Sequence, residues 1–228
     1  MTPSSRTRSA EGSYPRIGAA LYDALLAPAA LRAAEPVLDE VASTAPHGGR
    51  VLDVGCGGGQ VLVALAQRRP DLVLTGLDPS GRLVGAARHR AGGARVVRGS
   101  ATDLPFTDAA FDVVLALFSL KEWPDRDRGV REAARVLAPG GRLLVAELHA
   151  AAPRGQWQAF IDLGRLPHPL ASAFVTATLH PVVRRGVSTA ELQRLLAVPG
   201  LEGAQVEADG ELAVARARAQ RSALSPKR

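Results

Sequence analysis

The sequence predicts an α/β protein, a doubly wound, mostly parallel seven-stranded sheet with an antiparallel C-terminal strand pair. Three observations predict it. Short β-branched runs alternate with helical periodicities at a spacing of roughly 20–25 residues, which requires parallel strands and right-handed crossovers. A glycine cluster stands between the first strand and the first helix of that alternation, where such sheets bind ligands. After residue 187 the alternation ends in a capped helix and two strands joined by Asp209-Gly210, a strong hairpin signal.

Each element has its own reason. Ile17 to Ala42 is helical, with Leu21, Leu25, Leu38 and Val41 on its apolar face, and Pro28 and Pro36 divide it into shorter helices. His47-Gly48-Gly49 is a turn, and Arg50 to Gly55 is the first strand. Gln60 to Arg69 carries Leu62, Leu65 and Ala66 on one helical face. Leu72 to Asp78 is the second strand. Pro79 to Ala91 is the second helix, capped by Ser80, with Val84, Ala87 and Ala91 facing inward. Ala94 to Arg98 is the third strand. Phe111 to Phe118 is the fourth, apolar almost throughout, as a strand covered on both faces should be.

Asp125 to Ala138 is a helix with Val130, Ala133, Ala134 and Leu137 on one side, ended by Pro139-Gly140-Gly141. Arg142 to Leu148 is the fifth strand. Residues 150–187 hold Pro153, Pro167, Pro169 and Pro181 among helical fragments and read as a lid insertion. Ser188 and Glu191 form a capping box for a helix to Ala197. Leu201 to Ala208 and Glu211 to Ala217 are the closing strands, and the Ala/Arg stretch from Ala215 is expected to fray. The organisation expected is a mobile tail (1–13), a single domain (14–218) and a second mobile tail (219–228). Within the domain, 14–47 are N-terminal helices, 50–149 the ligand-binding core, 150–187 the lid, and 188–218 the terminal helix and strand pair.

Composition narrows the function classes. With 228 residues, 46% of them hydrophobic, the chain can bury a sizeable core. Its single cysteine, Cys56, excludes an internal disulfide framework and a four-cysteine zinc site, and the scattered histidines show no metal-binding spacing, so no metal is expected. No stretch approaches the ~18 apolar residues of a membrane span. Met1 to Arg8 is polar and carries no secretory signal, so a cytoplasmic location is expected. The net charge is +6, but residues 1–16 hold +2 and residues 216–228 hold +5, which leaves the body near −1. A basic groove belongs on the folded body, so a nucleic-acid partner is disfavoured.

Asp53-Val54-Gly55-Cys56-Gly57-Gly58-Gly59 is the most informative stretch. A dinucleotide fingerprint started at Gly55 needs Gly or Ala where Gln60 stands, and started at Gly57 it meets Leu62. No Gly-Lys-Ser/Thr follows, so a phosphate-binding P-loop is absent. An acid at the strand end would repel a pyrophosphate and suits a cation. A ligand with an amino-acid cation, a sulfonium, an adenosine and no phosphate meets these conditions: S-adenosyl-L-methionine.

The run Asp53-x-Gly55-x-Gly57-x-Gly59 resembles the signature of class I S-adenosylmethionine-dependent methyltransferases, which have a Rossmann-like fold. With Leu137-Ala138-Pro139-Gly140-Gly141-Arg142, residues 50–148 resemble the small-molecule branch that includes the ubiquinone/menaquinone C-methyltransferases. The resemblance implies methyl transfer at C, O or N of a small acceptor. It places the cofactor on Asp53, Gly55, Gly57 and Gly59. Asp78, followed by Pro79, ends strand two, where a carboxylate accepts from ribose hydroxyls in nucleotide-binding folds, and the resemblance agrees. Gly99 to Phe106 resembles the adenine loop, which gives Asp103 the exocyclic amine and makes Ala101, Thr102 and Leu104 its neighbours. Phe118 ends strand four, under the methionine moiety. Cys56 is an ordinary small residue in such a loop and no nucleophile.

The methyl donor is already activated, so orientation is the main task and a base is needed only for a protonated acceptor. The candidates are His149 after strand five, Glu122 after strand four, and His168 and His180 in the lid. Many relatives carry His near position 121, where this chain has Lys121. Trp123 either floors a substrate pocket or packs on the next helix. No Asn/Asp-Pro-Pro-Tyr/Phe follows strand four, which disfavours nucleic-acid bases and protein glutamine as acceptors. The apolar lid favours an aromatic or lipophilic small molecule. Two other readings remain: a catalytically silent S-adenosylmethionine-binding protein, and an NAD-dependent oxidoreductase, disfavoured by Gln60 and by the lack of a Tyr/Lys pair. The oligomeric state is not legible.

Overall fold

The computed structural model describes residues 27–163 and 185–223. Two short helices come first, α1 (Ala27–Ala33) and α2 (Glu35–Thr44), divided just before Pro36, which sits in the first turn of α2 where its missing N–H does no harm. The alternation then runs β1 (Arg50–Val54), α3 (Gln60–Arg68), β2 (Val73–Asp78), α4 (Gly81–Arg90), β3 (Arg95–Arg98), β4 (Phe111–Leu117), α5 (Arg126–Val136) and β5 (Leu137–Leu148). Helix α6 (Arg154–Asp162) lies before the undescribed stretch, and α7 (Thr189–Leu196), β6 (Leu201–Ala208) and β7 (Val214–Arg221) follow it.

The sheet order is β3-β2-β1-β4-β5-β7-β6. The first five strands are parallel, while β7 inserts antiparallel between β5 and β6. The strand order reverses between β1 and β4, and the crevice at that switch point is where this architecture takes ligands. Core lies on both faces. Leu38, Leu62, Leu65, Leu115 and Leu144 fill one side, and Leu52, Leu77, Leu120, Leu143 and Leu195 fill the other. Among the described residues, no helix is long and apolar enough to cross a membrane.

Four expectations change. The helix expected to end at Ala138 ends at Val136, because Leu137 is fully buried and pairs with Phe111 as the first residue of β5. Pro139-Gly140-Gly141 therefore lies inside β5, as an irregularity with Gly140 at φ +76°. The hairpin loop is longer than two residues: the Asp209 carboxylate accepts from the amides of Glu211 (2.8 Å) and Leu212 (2.7 Å), which delays β7 to Val214. The stretch expected to fray from Ala215 is paired with β5 through Gln220, so strand structure runs to Arg221, beyond residue 218. Half of the capping box is present: Ser188 accepts from the Glu191 amide at 3.0 Å, while the Glu191 carboxylate pairs with Arg126 at 2.6 Å.

Candidate binding site at the glycine loop

The glycine loop leaves β1 at the carboxyl edge of the sheet. The amides of Gly55 and Cys56 both donate to the Leu77 carbonyl (2.7 and 3.0 Å), which folds the loop over the end of β2. Gly55 has φ +82°, and a Cβ there would stand 2.4 Å from the Ser119 Cβ. Glycine is thus required twice over, by backbone conformation and by space. Gly59 has φ +83°, and a Cβ there would stand 3.1 Å from Ala87 of α4, so its absence lets α3 and α4 approach.

Two carboxylates stand behind this loop. Asp78 is buried, and backbone reaches both of its oxygens: one accepts from the Gly57 amide (3.1 Å), the other from the Ser80 amide (2.8 Å). Ser80 in turn caps α4 through the Leu83 amide. Asp53 is only 1% exposed, and among the described residues its Oδ2 has no hydrogen-bond partner. Burial first, and then the neighbouring Asp78 charge, push the Asp53 carboxyl up to about 7. A cavity of about 110 Å³ opens here, lined by Asp53, the glycine loop, Phe118 and, from α1, Ala30 and Leu31. An acceptor buried without a donor costs about 1–3 kcal/mol. The chemistry that removes this cost is a cationic N–H donor, which also draws the carboxyl back to its charged form.

Cys56 belongs to the core. It is 6% exposed, and a Cβ on Gly76 would stand 2.8 Å from its Sγ. Burial, followed by the Asp53 and Asp78 charges, drives the thiol well above its ordinary range, so it stays protonated and packs.

The segment after β4 forms the cavity floor. Phe118 takes the left-handed conformation (φ +55°), ends the strand one residue earlier than expected, and sets its ring 5.9 Å from that of Phe160. Ser119 donates to the Val54 carbonyl at 2.6 Å, which locks this segment to β1. Lys121 turns inward. Its side chain is 1% exposed, and its ammonium donates to the Phe118 carbonyl and lies 3.3 Å from Glu147 Oε1. Glu147 Oε2 accepts the Lys121 amide at 3.0 Å. Lys121 therefore closes a buried ion pair and presents no base to a substrate. Glu122 is exposed and lies 3.5 Å from Arg185. Trp123 packs on α5, where a Cβ on Gly129 would stand 2.3 Å from its ring, which decides between its two readings.

The loop after β3 splits by polarity. Ala101 and Leu104 are buried, Thr102 is half-buried, and Asp103 is exposed. His149 follows the last residue of β5, half-buried, with its amide on the Ala213 carbonyl at 2.9 Å. His168 and His180 lie outside the described residues, as does the apolar centre of the expected lid. The structure thus brings Asp53, Gly55, Gly57 and Phe118 to one cavity and ties Asp78 to it through Gly57. Pro79 and residues 101–104 stand at the ends of β2 and β3, outside that cavity's lining. Sequence reasoning places Ser119 with Phe118 at the end of strand four, under the methionine moiety, and misses Lys121 and Glu147 as builders of the floor. A lone acid at the end of the apolar run Leu143 to Leu148 was the available signal for Glu147.

Comparison with known proteins agrees with this geometry. Residues 52–145 match the family described as "Methyltransferase domain". The chain is 45% identical over 106 residues to 27-O-demethylrifamycin SV methyltransferase of Amycolatopsis mediterranei, covering 44% of this chain and 39% of the relative. It is 38% identical over 99 residues to demethylmenaquinone methyltransferase of Thermotoga maritima, covering 43% of each. The chain therefore spans less than half the length of these relatives. A crystal structure from Methanococcus maripaludis, solved as a candidate S-adenosyl-L-methionine-dependent methyltransferase, shares the fold with a TM-score of 0.69 at 19% identity, over 99% of both chains.

Proposed function

We propose that this chain, whose core belongs to the class I S-adenosylmethionine-dependent methyltransferases, transfers the sulfonium methyl group of S-adenosyl-L-methionine to a small acceptor molecule. The observation that carries the reading is Asp53 Oδ2, a buried acceptor without a donor in a cavity walled by glycine backbone. It fits the ammonium of the methionine moiety. Gly55, Gly57 and Gly59 let the backbone come close. Asp78, at the end of β2 beside the glycine loop, serves the ribose hydroxyls, with Pro79 shaping the turn. Asp103 takes the exocyclic amine of adenine, with Ala101, Thr102 and Leu104 beside it. Phe118 lies against the methionine chain.

When bound, the cofactor supplies a methyl group on a positively charged sulfur, which departs as a neutral thioether. The chain's own work is orientation, which can supply roughly 7–11 kcal/mol in favourable cases. Phe118, Leu31 and Val61 wall the cavity with apolar surface and keep water from the reacting methyl. For a protonated acceptor, His149 is the base of choice: it follows the carboxyl end of β5, half-buried, and its imidazole can accept a proton. Glu122 ranks behind it because it is exposed and faces Arg185. His168 and His180 complete the set of candidates in the lid. The acceptor is aromatic or lipophilic, in keeping with the apolar wall and with relatives named for demethylrifamycin and demethylmenaquinone.

Calorimetry with S-adenosylmethionine and incubation of the labelled cofactor with a cell extract test this reading. Binding together with a labelled small molecule is the expected result. Binding without any labelled product would make the chain a silent cofactor-binding protein. No heat at millimolar cofactor would end the proposal.

A further inference from the structure

The loop that carries Asp103 is held by α5, which packs in the same core layer. On α5, Glu132 and Arg135 lie one helical turn apart and form a two-bond ion pair, Arg135 Nε to Glu132 Oε1 and Nη2 to Oε2, both 2.8 Å. Glu132 Oε2 also accepts the Leu104 amide at 2.9 Å. Arg135 donates to the Leu104 carbonyl at 3.0 Å, to the Phe106 carbonyl at 2.8 Å, and to Asp108 at 2.8 Å. One acid–base pair therefore grips Leu104 by both of its backbone groups. The Leu104 side chain is 4% exposed and sits in the core beside them. The Arg135 hydrogen bond holds the Glu132 carboxyl below its usual range, so the grip is fully charged at neutral pH.

The Leu104 N–H belongs to the same peptide plane as the Asp103 carbonyl. With the Asp103 amide held on the Ser100 carbonyl, the peptide planes on both sides of its Cα are fixed, and with them the direction of its Cα–Cβ bond. The loop's other amides are engaged within it: Asp103 N donates to the Ser100 carbonyl (3.1 Å), and Thr102 N to Ser100 Oγ (3.3 Å). Among the described residues the exposed Asp103 carboxylate has no hydrogen bond or ion pair. The loop thus spends its amides on its own shape and leaves one polar side chain for a ligand. A bidentate Arg–carboxylate pair is a rigid support for such an arrangement.

We infer that Glu132 and Arg135 are positioning residues for base recognition: they hold Asp103 so that the site selects a 6-amino purine over a 6-oxo purine, a role that rests on S-adenosylmethionine being the ligand of this site. A 6-amino group donates to a carboxylate, whereas a 6-oxo group repels it. A loosened loop would keep the carboxylate and lose the direction.

The test compares S-adenosylhomocysteine with S-inosylhomocysteine by calorimetry, on wild type and on Glu132→Ala, Glu132→Gln, Arg135→Lys, Asp103→Ala and the Asp103→Ala/Glu132→Ala double variant, each checked for a cooperative thermal melt. Wild type should prefer the adenosyl ligand by about tenfold or more, in line with the loss of one charge-assisted hydrogen bond. Asp103→Ala should abolish the preference. Glu132→Ala should reduce it at least threefold, and Glu132→Gln, which keeps an acceptor for the Leu104 amide, should restore most of it. The double variant should show no loss beyond Asp103→Ala alone. Arg135→Lys gives a second reading should Glu132→Ala fail to fold, and it too should lower the preference. A merely structural pair would lower the melting temperature and leave the ratio unchanged. That result, with Asp103→Ala still losing the preference, overturns the positioning role and spares the cofactor assignment. Wild type that binds neither ligand overturns the cofactor assignment itself.

Discussion

Two buried carboxylates flank β4, one at the end of β1 and one at the end of β5, and they differ in a single respect. Glu147 is satisfied by its own chain. Its oxygens meet the Lys121 ammonium (3.3 Å) and the amides of Lys121 (3.0 Å) and Leu148 (2.8 Å), at 0% exposure. Asp53 is equally buried, has Asp78 for a neighbour, and keeps one oxygen without a donor. A buried charge must be paired. Where the chain supplies the partner, the carboxylate builds structure. Where the described residues supply none, the carboxylate is left open to a ligand, which is the role proposed for Asp53.

Breaking the satisfied pair should have the largest effect. Lys121→Ala leaves Glu147 buried without its cation and should lower the unfolding free energy by about 3–5 kcal/mol, read by chemical denaturation. Lys121→Met with Glu147→Leu should lose far less, since both charges leave together. Asp53→Asn should behave in the opposite way: little or no loss of stability, but a fall in S-adenosylhomocysteine affinity of roughly 30-fold or more, about 2 kcal/mol, by calorimetry. If Asp53→Asn unfolds the chain and Lys121→Ala spares it, the contrast is inverted and fails.

The pH dependence sharpens the same contrast. The Asp53 carboxyl stands at about 7 in the folded chain against its ordinary 3.8, so the folded state holds more protons than the unfolded state between those values. Stability of the ligand-free protein should therefore fall as pH rises from about 4 through 7, by roughly 2–4 kcal/mol. Denaturation across that range should show the fall in wild type and a flatter profile in Asp53→Asn. Ligand binding near pH 7 should release a proton, seen as a dependence of the binding heat on buffer ionisation enthalpy. The smallest effect is expected at Glu122→Ala. It removes an exposed pair with Arg185 and should change stability by less than about 1 kcal/mol, while His149→Ala lowers turnover on any acceptor that must lose a proton.

Much of this was legible from residue order. The strands from Arg50 to Arg98 follow from β-branched runs, and the glycine loop follows from spacing alone. The errors share one cause. Leu137 looks helical by periodicity and Ala215 onward looks like a tail by composition, yet pairing with Phe111 and with β5 makes both of them strand. Periodicity reports a residue's own neighbours, and hydrogen bonding across a sheet answers to partners far away in sequence. Lys121 shows the same limit at the site: the sequence says only that a lysine stands where many relatives carry His, and its buried pairing with Glu147, 26 residues on, is set by the fold.

By itself the sequence determined the architecture, through the strand–helix alternation, and pointed to the kind of ligand proposed, through the Asp53 and glycine pattern and a body without basic excess. Tertiary structure decided which charged groups are spent. Asp53 and Glu147 are both acids at strand ends, and nothing local separates them. The separation comes from long-range packing, which among the described residues brings a lysine to Glu147 and another acid, Asp78, to Asp53.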